Sequence, residues 1–341
     1  MAGSDNSAKR LSILITGSTG YLGSRLLRRL LFEGHRVTAL VRPESAHKLG
    51  GQTEEPGLRL MIADLAEARF EANSPAGAPF DLILHCAAQP KLAGASLEEL
   101  SRAHVLAARN LSRLAERHPE ARFFHLSTAY VGPDAKGFLS ESAAVESTCR
   151  NPYELTKTRA EAVMMQGPLP FVEVFRPGII LSKPSDGIGP LRQSPLGPFF
   201  RALAWSSASG QRCFLPARSE VRPGFCFLSD IVDFILGRLR SPAMDRAVWN
   251  LVSPRSPRVD ELAEALQEVP FCPRLELDER SSSRLFAAWK LYLSEQRAWC
   301  QQRTLAAAEA ASVRFDDMTA GDFRSLAMLW SESVAKMENA A

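Results

Sequence analysis

Residues 11–23 read LSILITGSTGYLG. Leu11, Ile13, Leu14 and Ile15 form a short apolar run suited to a strand buried on both faces. Gly17, Gly20 and Gly23 follow at once, with Leu26, Leu27, Leu30 and Leu31 behind them at helical spacing. The predicted order is strand, glycine turn, helix. One glycine permits the tight turn, one lets backbone N–H groups approach a pyrophosphate, and one lets helix and strand pack closely. The free amides and dipole of the helix N-terminus favour the anion. Three glycines alone describe any tight turn; the strand before them and the helix behind them are what point to a dinucleotide.

Outward from this unit, helix-forming residues run to about Glu33, with Gly34 to end the helix. Strands are predicted at 35–41, 58–62, 80–86, 122–126 and 171–175, with helices at 97–117 and 153–165. Such alternation implies parallel strands joined by right-handed crossovers: an α/β, Rossmann-type doubly wound sheet whose ligand lies beyond the carboxyl ends of the strands. The stretch 181–224 is rich in Pro, Gly, Ser and Arg and reads as long loops suited to substrate contacts. A helix N-capped by Asp230 is expected over 230–240, a strand rejoining the sheet at 248–252, and helices at 259–267 and 284–311. Residues 10–181, with 229–255 returning, are thus expected to form the dinucleotide-binding domain. Residues 182–228 and 256–341 would form a smaller, mixed and mostly helical substrate domain.

Composition excludes several classes. The chain has 341 residues, 45% hydrophobic and 23% charged, with a net charge of +3. No basic block or interleaved aromatic stripe points to nucleic acid. The six cysteines are scattered without a C-x-x-C pair, which fits reduced thiols rather than a disulfide frame or a zinc site, so no metal is expected. The polar start MAGSDNSAKR lacks the apolar core of a signal peptide, and no apolar run is long enough to span a membrane, so a cytoplasmic protein is expected.

Tyr153 and Lys157 stand four apart on a predicted helix, sharing one face. Of the four tyrosines, only Tyr153 has a lysine at that spacing. A phenol with pKa about 10 is a poor acid–base group near neutrality, and a nearby ammonium lowers that value at about 1.4 kcal/mol for each unit. The end of the fifth strand, with Ser127 and Thr128, brings a hydroxyl to the same sheet edge, suited to hydrogen-bond a substrate oxygen.

With TGSTGYLG, ADL, HCAA, STAYVG, YELTK and FRPG in this order, the sequence over about 10–265 resembles the extended short-chain dehydrogenase/reductase family. VTALVRPES, STAYVG and FRPG most resemble its thioester-reductase and fatty-acyl reductase branch, in which a CoA- or carrier-bound acyl group is reduced with NADPH. Sugar-nucleotide epimerases and dehydratases are the nearest competing branch. The resemblance implies Thr128, Tyr153 and Lys157 as catalytic residues, with Ser127 the alternative to Thr128. It further implies Gly17, Thr19, Gly20, Tyr21, Leu22 and Gly23 around the pyrophosphate, Asp64 and Leu65 beside the adenine, and Ala87, Ala88 and Pro177 against the cofactor, where Tyr153 and Lys157 also reach. Family members commonly carry an asparagine in the middle of the helix where this chain has His104. A homodimer is a further expectation of the resemblance.

Cofactor choice is readable on physical grounds. An acid about 20 residues past the glycines accepts ribose hydroxyls in NAD sites, whereas arginine suits the 2′-phosphate of NADP(H). Arg42 follows Gly23 by 19 residues, with Glu44 close behind. His85 reads as a core or supporting histidine, and Gly187 and Gly189 as a flexible loop. Arg192, Arg201, Arg212, Arg218 and Arg222 are either solvated charge or a phosphate site for phosphopantetheine, CoA or a sugar nucleotide, with Arg222 foremost. Residues 284–303, carrying Leu285, Phe286, Trp289, Leu293 and Trp299, read as a helix packed on the substrate domain, with a lid over an acyl chain as the alternative. The expected activity is NADPH-dependent reduction of a carbonyl, foremost an acyl thioester. A sugar-nucleotide epimerase or dehydratase with retained NAD, and a non-catalytic NADP-binding sensor or scaffold, are the competing readings.

Overall fold

The computed structural model describes residues 9–67, 79–89, 94–167, 169–187, 193–210, 212–281 and 286–338. Gly189, Arg192, Arg284, Leu285 and most of the polar lead-in lie outside the described residues. Strand β1 (Ser12–Thr16) is followed by α1 (Tyr21–Phe32), β2 (Arg36–Val41), a 3-10 stretch (Pro43–Glu54), β3 (Leu58–Ile62) and β4 (Leu82–His85). A capping box of Ser96 and Glu99 starts α2 (Leu97–Ser101), which passes through a π-helical turn (Arg102–Leu106) into α3 (Ala107–Ala115). Then come β5 (Arg122–Leu126), β6 (Phe138–Leu139), α4 (Pro152–Gln166), β7 (Val172–Pro177) and β8 (Ile179–Leu181). Helix α5 (Leu196–Ala208), β9 (Cys213–Leu215), β10 (Phe225–Phe227), α6 (Leu228–Arg240), β11 (Ala247–Leu251), α7 (Val259–Gln267) and β12 (Leu275–Leu277) follow. Helix α8 (Lys290–Ser294), β13 (Ala298–Trp299), α9 (Gln302–Ala310) and α10 (Ala320–Glu338) close the chain.

The central sheet has seven parallel strands in the order β11-β7-β5-β4-β1-β2-β3. The chain winds outward from β1 to β3, returns to β4 and winds the other way. The carboxyl ends of β1 and β4 therefore flank the topological switch point, where a doubly wound sheet opens a crevice. Strand β1 shows why apolar residues run together here: Ile13 and Ile15 face one core with Leu26, Leu27 and Phe234, while Leu14 faces the other with Leu111 and Ala160. Burying each such leucine or isoleucine contributes roughly 1.5–3 kcal/mol. A third apolar cluster lies outside the sheet and is built from Phe199, Phe200, Phe225, Trp289 and Phe323 among others.

Three expectations are corrected. Residues 181–224 contain a full helix, α5, whose apolar Leu196, Phe199, Phe200 and Leu203 fill the third cluster; the flanking Pro and Gly concealed its period. The stretch 284–311 is no continuous helix, because α8 ends at Ser294 and the chain extends through Glu295–Arg297 into β13 before α9 begins. Asp230 caps nothing: the residue before α6 is Phe227, and Asp230 lies buried in the first turn, pairing with Lys183 (2.9 Å) and accepting from the Asp316 amide (2.8 Å). Among the described residues, no helix is long and apolar enough to cross a membrane.

Candidate active site

The turn after β1 leaves no room for a side chain at Gly17 or Gly23. Gly17 has φ +70°, and a Cβ there would lie 2.6 Å from the Ala87 backbone nitrogen; a Cβ on Gly23 would lie 2.1 Å from the Gly17 carbonyl oxygen. Gly20 caps α1 with extended backbone and no side-chain partner, leaving the first helical amides free for a ligand. In front of this turn is a cleft of about 460 Å³. Gly17, Thr19 and Gly20 form its floor, Arg42 and Ser45 one wall, and Asp64, Leu65, Ala87 and Ala88 the next. Tyr21 and Leu22 turn their side chains into the protein interior instead, so their contribution to the cleft is backbone. Pro177 is buried at the end of β7, where its carbonyl accepts from the Ala129 amide (2.8 Å).

Arg42 reaches the cleft but pairs with Glu44 at 3.0 Å, both exposed. Sequence reasoning missed Gln89, Arg102 and Ala103, which close the opposite wall. Arg102 and Ala103 sit in the π-helical turn, whose shift of the helix face no regular period announces.

Helix α4 carries Tyr153 and Lys157. Pro152 occupies its first position and the Asn151 side chain accepts from the Glu154 amide (2.8 Å), so the N-terminus is fixed just ahead of Tyr153. The Thr128 hydroxyl faces the Tyr153 phenol, whose ionised form it favours, and accepts from the Tyr130 amide (3.2 Å). The neighbouring Ser127 hydroxyl is buried without a hydrogen-bond partner among the described residues. Lys157 is 2% exposed and its Nζ donates to the Leu126 carbonyl at 2.6 Å. Burial pushes its ammonium down to about 8. The phenol departs from expectation. Burial, with a further push from the Glu154 charge, drives Tyr153 up to about 12 against the opposing influence of Thr128, so the hydroxyl is protonated at neutral pH. Burial, and not the lysine, is what governs the phenol here.

Three histidines underlie the site. Thr16 Oγ1 accepts from the Ala87 amide (3.2 Å) and shares a hydrogen bond with His85 Nδ1 (2.8 Å). His125 faces His85 at 5.2 Å between ring centroids, with no partner for either nitrogen among the described residues. His104 Nε2 accepts from the Gln89 amide (3.2 Å), leaving its proton on Nδ1 for Thr156 Oγ1 (2.9 Å), and Thr156 passes its own proton to the Pro152 carbonyl (2.9 Å). Burial first, then the Lys157 charge, pushes His85 and His104 down to about 3 and His125 well below the usual range. All three are neutral imidazoles. With both nitrogens engaged, His104 fastens the loop carrying Gln89 to helix α4.

The arginines of the substrate region are otherwise engaged. Arg222 donates to the Ser256 carbonyl (2.6 Å) and pairs with Glu261, Arg212 pairs with Glu276, Arg218 pairs with Glu220 and Glu279, and Arg201 lies over the Trp330 ring. Phe286, Trp289 and Leu293 pack into the third apolar cluster, and Trp299 donates to the Ala129 carbonyl (2.8 Å).

A profile of the NAD dependent epimerase/dehydratase family matches residues 13–250. The chain belongs to this family, the extended short-chain dehydrogenases/reductases. It is 30% identical over 164 residues to the probable UDP-arabinose 4-epimerase 3 of Arabidopsis thaliana, covering 45% of this chain and 39% of that protein. It is 32% identical over 170 residues to a farnesyl-dihydroquinoline-oxide ketoreductase of Stigmatella aurantiaca, covering 49% of each. The matches thus span less than half the length of these two relatives. Among solved structures, the terminal R domain from the myxalamid PKS-NRPS pathway shares the fold with a TM-score of 0.75 at 20% identity, covering 97% of this chain and 92% of that one. The family is NAD dependent by description, and the cleft fits a nicotinamide dinucleotide: a turn with glycine at 17, 20 and 23 and, ahead of it, helical amides that no side chain caps, suited to a pyrophosphate.

Proposed function

We propose that the protein is an NADPH-dependent reductase of carbonyl groups and that its substrate is an acyl thioester carried on CoA or a carrier protein. The observation that carries the reading is the pairing of the Tyr153 and Thr128 hydroxyls, with the phenol in its protonated form. Reduction of a carbonyl needs a proton at the oxygen as hydride reaches the carbon, and a neutral phenol is the state able to give one. The bound nicotinamide supplies the hydride. Tyr153 donates to the substrate oxygen, Thr128 holds that oxygen by a second hydrogen bond, and Lys157, poised near 8, is the group able to return a proton to the phenol. A thioester reduced in this way gives a hemithioacetal, which expels its thiol and leaves the aldehyde. The R-domain likeness and the STAYVG and FRPG motifs support the thioester; Arg42 at the cleft wall supports the 2′-phosphate.

Sugar-nucleotide epimerisation is the second reading, favoured by the UDP-arabinose 4-epimerase relative and by Glu44, which neutralises Arg42. Incubation with NADPH and a panel of acyl-CoA and acyl-carrier thioesters tests the first reading. Consumption of cofactor with thioesters supports it, and consumption only with ketones rejects the thioester. NAD that survives purification and is reduced by a nucleotide sugar supports the second.

A further inference from the structure

Glu154 follows Tyr153 directly and is completely buried. Its carboxylate accepts from Arg150 Nη2 (2.6 Å), Nε (3.2 Å) and backbone amide (3.0 Å), and from Arg297 Nη2 (3.1 Å). Arg297 is 4% exposed and arrives from the extended link between α8 and β13. Its other terminal nitrogen, Nη1, donates to the Val131 carbonyl (2.8 Å), three residues past Thr128, and its guanidinium lies 5.5 Å over the Tyr130 ring. Tyr130 meets Tyr292 of α8 edge-on at 4.4 Å and accepts from the Gly224 amide (2.9 Å) through its hydroxyl. Trp299 bonds the Ala129 carbonyl and covers Gly224 so closely that a Cβ there would lie 2.7 Å from the indole. Residues 291–299 thus grip both the loop carrying Thr128 and the helical turn carrying Tyr153.

We propose that Arg297 is a positioning residue for the reaction: by bridging Glu154 and the Val131 carbonyl it holds the Thr128 loop against the Tyr153 helix and balances the carboxylate beside the phenol. A buried ion pair is a poor source of net stability compared with apolar packing, and its better-attested use is to fix one arrangement among several. Here the arrangement fixed is the meeting of two hydroxyls from elements 25 residues apart in sequence, Thr128 and Tyr153. The charge matters as well as the shape. Tyr153 is faced by Thr128 from its loop, by His104 edge-on from the π-helical turn (5.6 Å), by Tyr292 from α8, and by Glu154 and Lys157 on its own helix. His104 is neutral, so the carboxylate of Glu154 is the nearest anion, and Arg150 and Arg297 are what offset it. The role rests on Tyr153 as proton donor, and its test needs no substrate.

The four tyrosines make fluorine NMR practical. The full chain is labelled with 3-fluorotyrosine, whose ring substituent brings the phenol titration into an accessible range, and Tyr153→Phe assigns the resonance. The midpoint for Tyr153 is expected to rise by about half a pH unit or more in Arg297→Met, and to rise less in Arg297→Lys, which keeps the charge but not the fork. It is expected to fall in Glu154→Gln, and the double variant Arg297→Met/Glu154→Gln is expected to lie between the two singles. If Arg297→Met does not fold, Arg297→Lys and Arg297→Gln carry the test. An unchanged Tyr153 midpoint in every folded Arg297 variant overturns the proposal, whatever Glu154→Gln shows. A failed thioester panel, with these shifts present, overturns only the choice of substrate.

Discussion

Lys157 offers the most direct test of the site's electrostatics, because its cost is written into stability. Its ordinary pKa of 10.5 falls to about 8 in the folded protein through burial. The difference, 10.5 − 8 = 2.5 units at about 1.36 kcal/mol each, is roughly 3 kcal/mol. Below pH 8 the lysine is charged in both folded and unfolded chains, and folding bears the whole desolvation cost. Between pH 8 and 10.5 the unfolded chain holds a proton that the folded one has released, so this group makes stability rise with pH. Above 10.5 both are neutral and the cost has vanished. Other groups act oppositely in the same window: Cys86 and Cys226, raised by burial, stay protonated when folded and ionise when unfolded, which lowers stability as pH rises through the thiol range. The comparison must therefore be between parent and Lys157→Met. Guanidinium unfolding of the two at pH 7 through 10.5 is expected to show the parent gaining about 3 kcal/mol on the variant across the window. The lost hydrogen bond to the Leu126 carbonyl adds a constant offset and leaves that slope untouched. Parallel stability curves would refute the claim that an ammonium is buried here against its preference.

Three further outcomes are expected. Gly23→Ala, with its new Cβ 2.1 Å from a backbone oxygen, forces α1 away from the turn; NADPH binding, followed by fluorescence, is expected to fall beyond detection while far-UV dichroism persists, and retained affinity would show that the turn gives way. Arg42→Ala is expected to weaken NADPH about tenfold or more and leave NADH nearly unchanged, as loss of one charge-assisted contact predicts; equal losses for both cofactors would remove the 2′-phosphate assignment. Tyr153→Phe is expected to abolish turnover while NADPH affinity stays within about twofold, and activity surviving in that variant would dismiss the phenol as proton donor.

The sheet was legible because local period and global burial agree in it. The run at 11–15 announced a strand buried on both faces, and Ile13 and Leu14 indeed enter opposite cores. The glycine turn was legible in the same way, since Gly23 is required by a backbone contact inside the strand–turn–helix unit and Gly17 by its positive φ, although the Ala87 backbone that also crowds Gly17 comes from a distant strand end. The helix at 196–208 was not, because its Pro195 and Pro198 look like loop residues although one precedes the helix and the other falls in its first turn, where proline is tolerated.

The electrostatics around Tyr153 were illegible for a different reason. A lysine four residues on from a tyrosine predicts a lowered phenol only where its pull exceeds the cost of burying a phenolate, and here burial is the larger influence on both partners. The decisive neighbours come from far along the chain: Arg297 meets Glu154 across 143 residues, and Lys157 meets Leu126 across 31. Glu154 itself gave no signal, since a glutamate in the first turn of a helix is ordinarily explained by the dipole and solvent. What sets it apart is that it is completely buried between two guanidinium groups, a condition only the assembled fold creates. The Tyr-x-x-x-Lys spacing fixes which groups share a face, whereas the charge beside the phenol depends in this chain on Arg297, which arrives from a separate C-terminal segment.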